Sequence, residues 1–224
     1  MRIVAAVVLC GFFWVAARNA TLVPGRRQNV AELALDFVRV NIAEEVLGER
    51  RARPHVALLT TMFFTILAMN ITGVIPLLNI ASTSVVTVPL LLAGVAWVAF
   101  VAAGIKAHGV FGFVRSSLFP SGVPWPIYII LAPIELISTF ILRPATLTVR
   151  LMANMLAGHL LLALFFSMTN FLFVEANGAL KGVGVLTFGA AFAFTLFEIF
   201  VAVLQAYIFT LLTAVYISLS QEAH

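Results

Sequence analysis

Apolar positions fill this chain in long blocks separated by short polar stretches. Two blocks, 56–76 and 85–105, carry no charged residue, and each is 21 residues long. A helix rising about 1.5 Å per residue needs roughly 20 such residues to cross a hydrocarbon core of about 30 Å. Each block therefore predicts one membrane span. A shorter block, 3–17 (IVAAVVLCGFFWVAA), predicts a first span, slightly short on its own. Arg2 before it and Ala16 and Ala17 at its end also fit a cleaved signal peptide, which stays open as the alternative.

The last two blocks exceed any bilayer. Residues 127–168 and 183–217 number 42 and 35, about 63 Å and about 53 Å as helices. Such helices must tilt strongly, kink or break. Pro144, which removes a backbone hydrogen bond, is the expected kink point. The pair reads as a tilted helical hairpin closed by a loop around Glu175 and Lys181. Segment 28–47 has another pattern. Val30, Leu33, Ala34, Phe37 and Val38 recur at helical spacing, while Glu32, Asp36, Arg39, Glu44 and Glu45 fall mostly elsewhere. That predicts an amphipathic helix lying on the membrane surface or packed on protein. Segment 106–126, with His108, Arg115 and three prolines, predicts a surface loop. The expected fold is an all-α integral membrane protein, one membrane domain over 1–224. It has about five membrane helices, the last two long and strongly tilted, plus an interfacial helix after the first.

Composition agrees with the pattern: 62% of the 224 residues are hydrophobic and 10% charged, with a mean hydropathy of +1.12. No segment is polar enough for a soluble domain. The net charge of +4 does not indicate nucleic acid, because seven of the thirteen basic residues lie between Arg18 and Arg53, beside an apolar block. Clustered arginines of this kind set orientation. They place the 18–53 segment, Lys106, Arg115 and the C-terminus in the cytoplasm, and the N-terminus and the Glu175 loop outside. The lone Cys10 excludes an internal disulfide. The four histidines, at 55, 108, 159 and 224, are scattered, so no H-E-x-x-H metal motif exists and no metal or other cofactor is expected. Gly182, Gly184 and Gly189 follow no strand and form no dinucleotide fingerprint; they suit close helix packing. Neither internal repeat nor matched pair of interrupted helices supports a stand-alone secondary transporter.

Ionisable groups inside a membrane are functional candidates by default. The two long blocks carry Glu135, Arg143, Arg150, His159 and Glu198, with Asn154 and Gln205 as polar neighbours; Asn70 lies near the end of the 56–76 block. Arg143 is read as snorkelling toward the interface. Arg150 is too deep for that, and a guanidinium stays charged. Two readings stand: an ion pair with Glu198 inside the bundle, or a fixed charge kept for another partner. Counted back from the hairpin turn, His159 lies level with Glu198, and Arg150 with Gln205. At about 100° per residue, Asn154 shares the Arg150 side and His159 lies opposite. An imidazole near a carboxylate suits proton relay. Asn70 reads as a packing or capping residue, with a water path as the alternative.

RPATLTVRLMANMLAGHLLL (143–162) together with LQAYIFTLLTAVYISLS (204–220) resembles subunit a of the F-type ATP synthases. VPGRRQNVAELALDFV and NITGVIP extend the resemblance over nearly the whole chain. It implies a non-catalytic stator subunit that offers two offset half-channels to the carboxylates of a rotor ring of c subunits, with peripheral stalk b subunits as further partners. Under it, Arg150 matches the arginine facing the ring and blocking a direct leak. Asn154 matches the polar residue one turn on, and Gln205 the glutamine near the arginine. His159 and Glu198 match the acid/base couple of the external path, and Asn70 an asparagine of that path. Glu135 resembles the inner-path carboxylate but is displaced by one residue from the common spacing counted from Arg150. Gly73 stands where some members have an acid. A sodium-translocating version is the close alternative. A bacterial plasma membrane is the expected location, favoured by the Ala/Val/Arg-rich composition, with the mitochondrial inner membrane as the alternative.

Overall fold

Lipid offers no water to satisfy backbone polar groups, and the long apolar stretches that are described answer with helix. The computed structural model describes residues 10, 11, 13, 14, 26–74, 86–118, 127–175, 178 and 180–222. The span expected at 3–17 lies almost entirely outside them, as do 75–85 and 119–126. Among the described residues there is no strand.

The chain enters through α1 (Arg26–Val38), a π-helical turn (Arg39–Glu44), and the short α2 (Glu45–Leu47) and α3 (Glu49–Ala52). In a π turn the fifth residue on comes round to the same side. Arg39 and Glu44 use that spacing for an ion pair, Nε to Oε1 at 2.7 Å. The predicted apolar stripe of α1 is two-sided. Ala31 and Val38 are buried against the bundle, while Val30, Leu33 and Phe37 are exposed. One side packs on protein and the other is exposed.

Among the described residues, four helical stretches are long and apolar enough to cross a membrane: Val56–Val74, Thr87–Val114, Ile130–Val174 and Leu180–Gln221. They belong to α4 (Val56–Val74), α5 (Thr87–Leu118), α6 (Tyr128–Ile137) with α7 (Arg143–Val174), and α8 (Leu180–Glu222). The last, at 43 residues, is about 65 Å long and must lie obliquely in a core of about 30 Å. It is the spine of the molecule, packing on α4, α5 and α7. The core is gathered around its C-terminal half. There Phe209, Ala214 and Ile217 meet Leu59 and Ile66 of α4, Ala93 and Ala96 of α5, Leu147 and Leu151 of α7, and Val38 and Ile42 of the entry segment. Toward the α7–α8 turn the apolar side chains point outward instead, among them Leu164, Phe171, Leu186 and Phe192. That is the expected finish for a lipid-facing hairpin.

Two irregularities differ from expectation. The break anticipated at Pro144 is a π turn over Ser138–Leu142, and Pro144 sits in the first turn of α7. The helix runs on from the π turn, where the Arg143 N–H donates to the Ser138 carbonyl, so the N–H that Pro144 lacks is lost beside an irregular turn rather than in a regular helix interior. The segment from 106 to 118 is helical rather than loop. Its polar residues Lys106, His108 and Arg115 suggested a connection, but the chain breaks only at Gly109, with φ 72° and ψ 169°. That left-handed φ is cheap only for glycine.

On the arginine-rich side, α8 is tied to the entry segment. The Ser218 hydroxyl donates to the Val46 carbonyl at 3.4 Å, and Gln221 Nε2 lies 3.3 Å from His55 Nε2. With Nε2 unprotonated, the amide donates to it. Burial and the nearby charge of Lys106 push the His55 imidazole below its ordinary value. The folded state thus favours neutral His55. Its contribution to stability is complete above the unfolded value of about 6.5 and is lost as pH falls through the lower folded value. The thermal unfolding midpoint should drop on acidification from about pH 7.5 to about pH 5.5, and less so in His55→Gln. Equal slopes for the two proteins would remove His55 from this role.

Candidate functional site

The α7–α8 hairpin fixes the site through its register. The Thr169 and Thr187 hydroxyls hydrogen bond at 3.1 Å, Gly184 faces Leu172, and Gly158 faces Glu198. Each contact steps equally from the turn, so the two helices keep one alignment. Extended further, it brings Arg150 level with Gln205 and Ala206.

At Gly158 the approach is tight. The Glu198 carboxyl occupies the space where a Cβ would stand. Any other residue at 158 would push that carboxyl aside. Glu198 is only 6% exposed, and neither of its oxygens has a hydrogen-bond partner among the described residues. His159, the next residue, is half-buried, and its Nε2 is equally buried and unpartnered. The two groups therefore share a depth, as the residue count predicts, without bonding each other. Native structures seldom leave buried polar atoms unpartnered, and such groups call for a functional reason or bridging water.

Two amides continue this polar line along α8. Asn70, fully buried on α4, donates to the Ala202 carbonyl at 3.5 Å, one turn beyond Glu198. Gln205 is buried, with its Nε2 unpartnered among the described residues. Asn70 thus reaches the stripe of α8 that carries both Glu198 and Gln205.

Arg150 stands apart from all of them. Its side chain is exposed, and among the described residues it makes no ion pair, so the bridge to Glu198 is not formed. Asn154, one turn on, is half-buried, while Leu151 and Met155 between and beside them are fully covered. The α7 helix thus shows a fixed positive charge outward and turns His159 Nε2 inward. Glu135 lies on α6, half-buried, and is separated from α7 by the π turn.

Arg143, expected to snorkel toward the interface, meets two aromatic rings on its way. Its guanidinium lies over the rings of Phe100, at 5.3 Å, and Tyr216, at 5.1 Å. It lines a small recess with Trp97, Pro144 and Leu147. Ring faces attract a cation most where water is scarce, so α5 and α8 hold this charge between them. Neither aromatic is near Arg143 in sequence, so no local pattern marks them. Gly158 was likewise invisible as a site residue, although its place one residue before His159 is a signal that close packing can be read from.

A model of the family described as ATP synthase A chain matches residues 1–218. The chain belongs to that family. A protein of Rhodococcus erythropolis named ATP synthase subunit a is 51% identical over 223 residues, covering 100% of this chain and 81% of its own. One of the same name from Pseudarthrobacter chlorophenolicus is 42% identical over 224 residues, covering 99% and 84%. Another from Streptomyces lividans is 35% identical over 228 residues, covering 100% and 79%. These bacterial relatives and the four apolar helices fit a multi-pass bacterial membrane protein. Among the described residues, no group of histidines, cysteines and carboxylates is placed to hold a metal.

Proposed function

We propose that this member of the ATP synthase A chain family is the non-catalytic stator subunit that carries protons to and from the carboxylates of a rotor ring. The observation that carries the reading is Arg150, exposed and unpaired among the described residues on a membrane helix. Such a charge needs a counter-ion, and a carboxylate on a ring of c subunits supplies one from outside the chain. The line of His159, Glu198 and Asn70 serves the outer half-path, with Asn154 and Gln205 near the arginine. Glu135 serves the inner one. Its one-residue displacement has a structural home in the π turn Ser138–Leu142. A π turn takes up one extra residue without interrupting the helix, so a one-residue offset is compatible with this role for Glu135. Peripheral stalk b subunits hold the chain still, the arginine-rich side and C-terminus face the bacterial cytoplasm, and the N-terminus is outside.

The reading is tested with Glu198→Gln in the complete complex, reconstituted in sodium-free vesicles. The wild type should acidify the lumen when ATP is added. The variant should pump about a hundredfold more slowly, the loss typical of removing a proton-transferring group. Pumping at the wild-type rate would remove Glu198 from the path. A strict sodium requirement in the wild type would instead favour the sodium-translocating version.

A further inference from the structure

The helical segment after Gly109 has no place in the proton path. It follows α5, whose first 22 residues, 87–108, rise about 33 Å, already the full depth of a hydrocarbon core of about 30 Å. The break at Gly109 therefore falls at the membrane surface, and the remaining turns, up to Leu118, begin there. They fold back on the span itself. The Phe113 ring covers Gly104 and meets the Phe100 ring edge-on at 5.6 Å, and Phe113 is buried. The other side is bare: Val110, Phe111 and Val114 are exposed, Phe111 by 82%. At helical spacing these three fall within an arc of roughly 100°.

Charge indicates what covers that face. No Asp or Glu occurs between Arg50 and Ile134, while Lys106 and Arg115 flank the exposed residues in sequence. The charge of Lys106 acts on His55, so the hook shares its side of the membrane with Arg50, Arg51 and Arg53. A basic, carboxylate-free sequence bordering an apolar patch at headgroup depth matches an anionic leaflet, as in interfacial amphipathic helices.

We infer that the hook from Val110 to Val114 is an interfacial anchor, inserting Phe111 into the headgroup layer of the anionic leaflet on the arginine-rich side. It pins the end of α5, and with it Phe100, one of the two rings that hold Arg143. The test places a nitroxide on Phe111→Cys, and separately on Val114→Cys, in a Cys10→Ser background. The whole complex is reconstituted in vesicles of phosphatidylglycerol and phosphatidylethanolamine. Collision with dissolved oxygen, which favours the apolar layer, should exceed collision with a water-soluble nickel chelate several-fold at both positions. Dominant nickel collisions would put the hook in water and overturn the inference. Shielding from both probes would show that another protein subunit covers the face and would overturn it equally.

Discussion

Arg150→Ala should abolish ATP-driven proton pumping while leaving the chain folded. The side chain is exposed and makes no ion pair among the described residues, so its removal breaks no internal contact. What it removes, under the proposed function, is the attraction to a rotor carboxylate. At about 4 Å and an effective dielectric of about 20, that attraction is about 4 kcal/mol, equivalent to about a thousandfold in rate or occupancy. A rotor carboxylate that ionises at this interface loses its reason to do so. The same charge repels a proton attempting to cross directly. Each proton moving down the potential yields about 2.3 kcal/mol per 100 mV, which becomes rotation only while the direct route is closed. Pumping rate in vesicles and the unfolding midpoint of the complex should therefore separate cleanly, the first collapsing and the second staying within error. Pumping near the wild-type rate would end the assignment of Arg150.

Gly158→Ala should reach the other half-path with a single methyl group. The new Cβ would stand where the Glu198 carboxyl now lies, and that carboxyl, the far end of a flexible side chain, must swing aside. Displacing a side-chain end costs less than repacking a rigid core, about 1 kcal/mol. Part would appear as a lower unfolding midpoint and part as a Glu198 driven away from the depth it shares with His159. Proton pumping should fall about tenfold, and further in Gly158→Val. Gly189→Ala on α8 is the matched control, since a Cβ there meets nothing within 4 Å. It should pump normally and, as an alanine in a helix, gain up to about 1 kcal/mol of stability. Identical behaviour of the 158 and 189 variants would show that Glu198 does not depend on its place beside Gly158.

The two kinds of site residue differ in how openly the sequence displays them. Arg150, His159 and Glu198 are conspicuous because lipid tolerates so few ionisable groups that each stands out in an apolar run. Gly158, Phe100 and Tyr216 are the opposite case. Glycine and aromatics are ordinary in membrane helices, and what distinguishes these is the side chain brought against them from a distant helix. Arg143 shows the same limit. Its position near the end of an apolar block suggests snorkelling, and only the arrival of α5 and α8 shows which two rings it meets. The hook after Gly109 was hidden for a further reason. Lys106, His108 and Arg115 interrupt the apolar block as loop residues would, yet they also suit a helix lying at an interface, where polar and apolar environments meet.

By itself the sequence determined that this chain is a bundle of membrane helices, where most of the spans lie, that the last two are too long to stand upright, and which few charged side chains lie within them. These follow from one-dimensional quantities, namely hydrophobic run length, rise per residue and the cost of charge in lipid. The tertiary structure alone decided which of those side chains are paired. It left Arg150 exposed, set Glu198 against Gly158 rather than against Arg150 or His159, drew Asn70 to the Glu198 side of α8, and closed two aromatic rings over Arg143. A lipid environment drives every apolar helix into the membrane alike, so the choice of facing partner rests on close packing and register between helices, which no single helix carries in its own sequence.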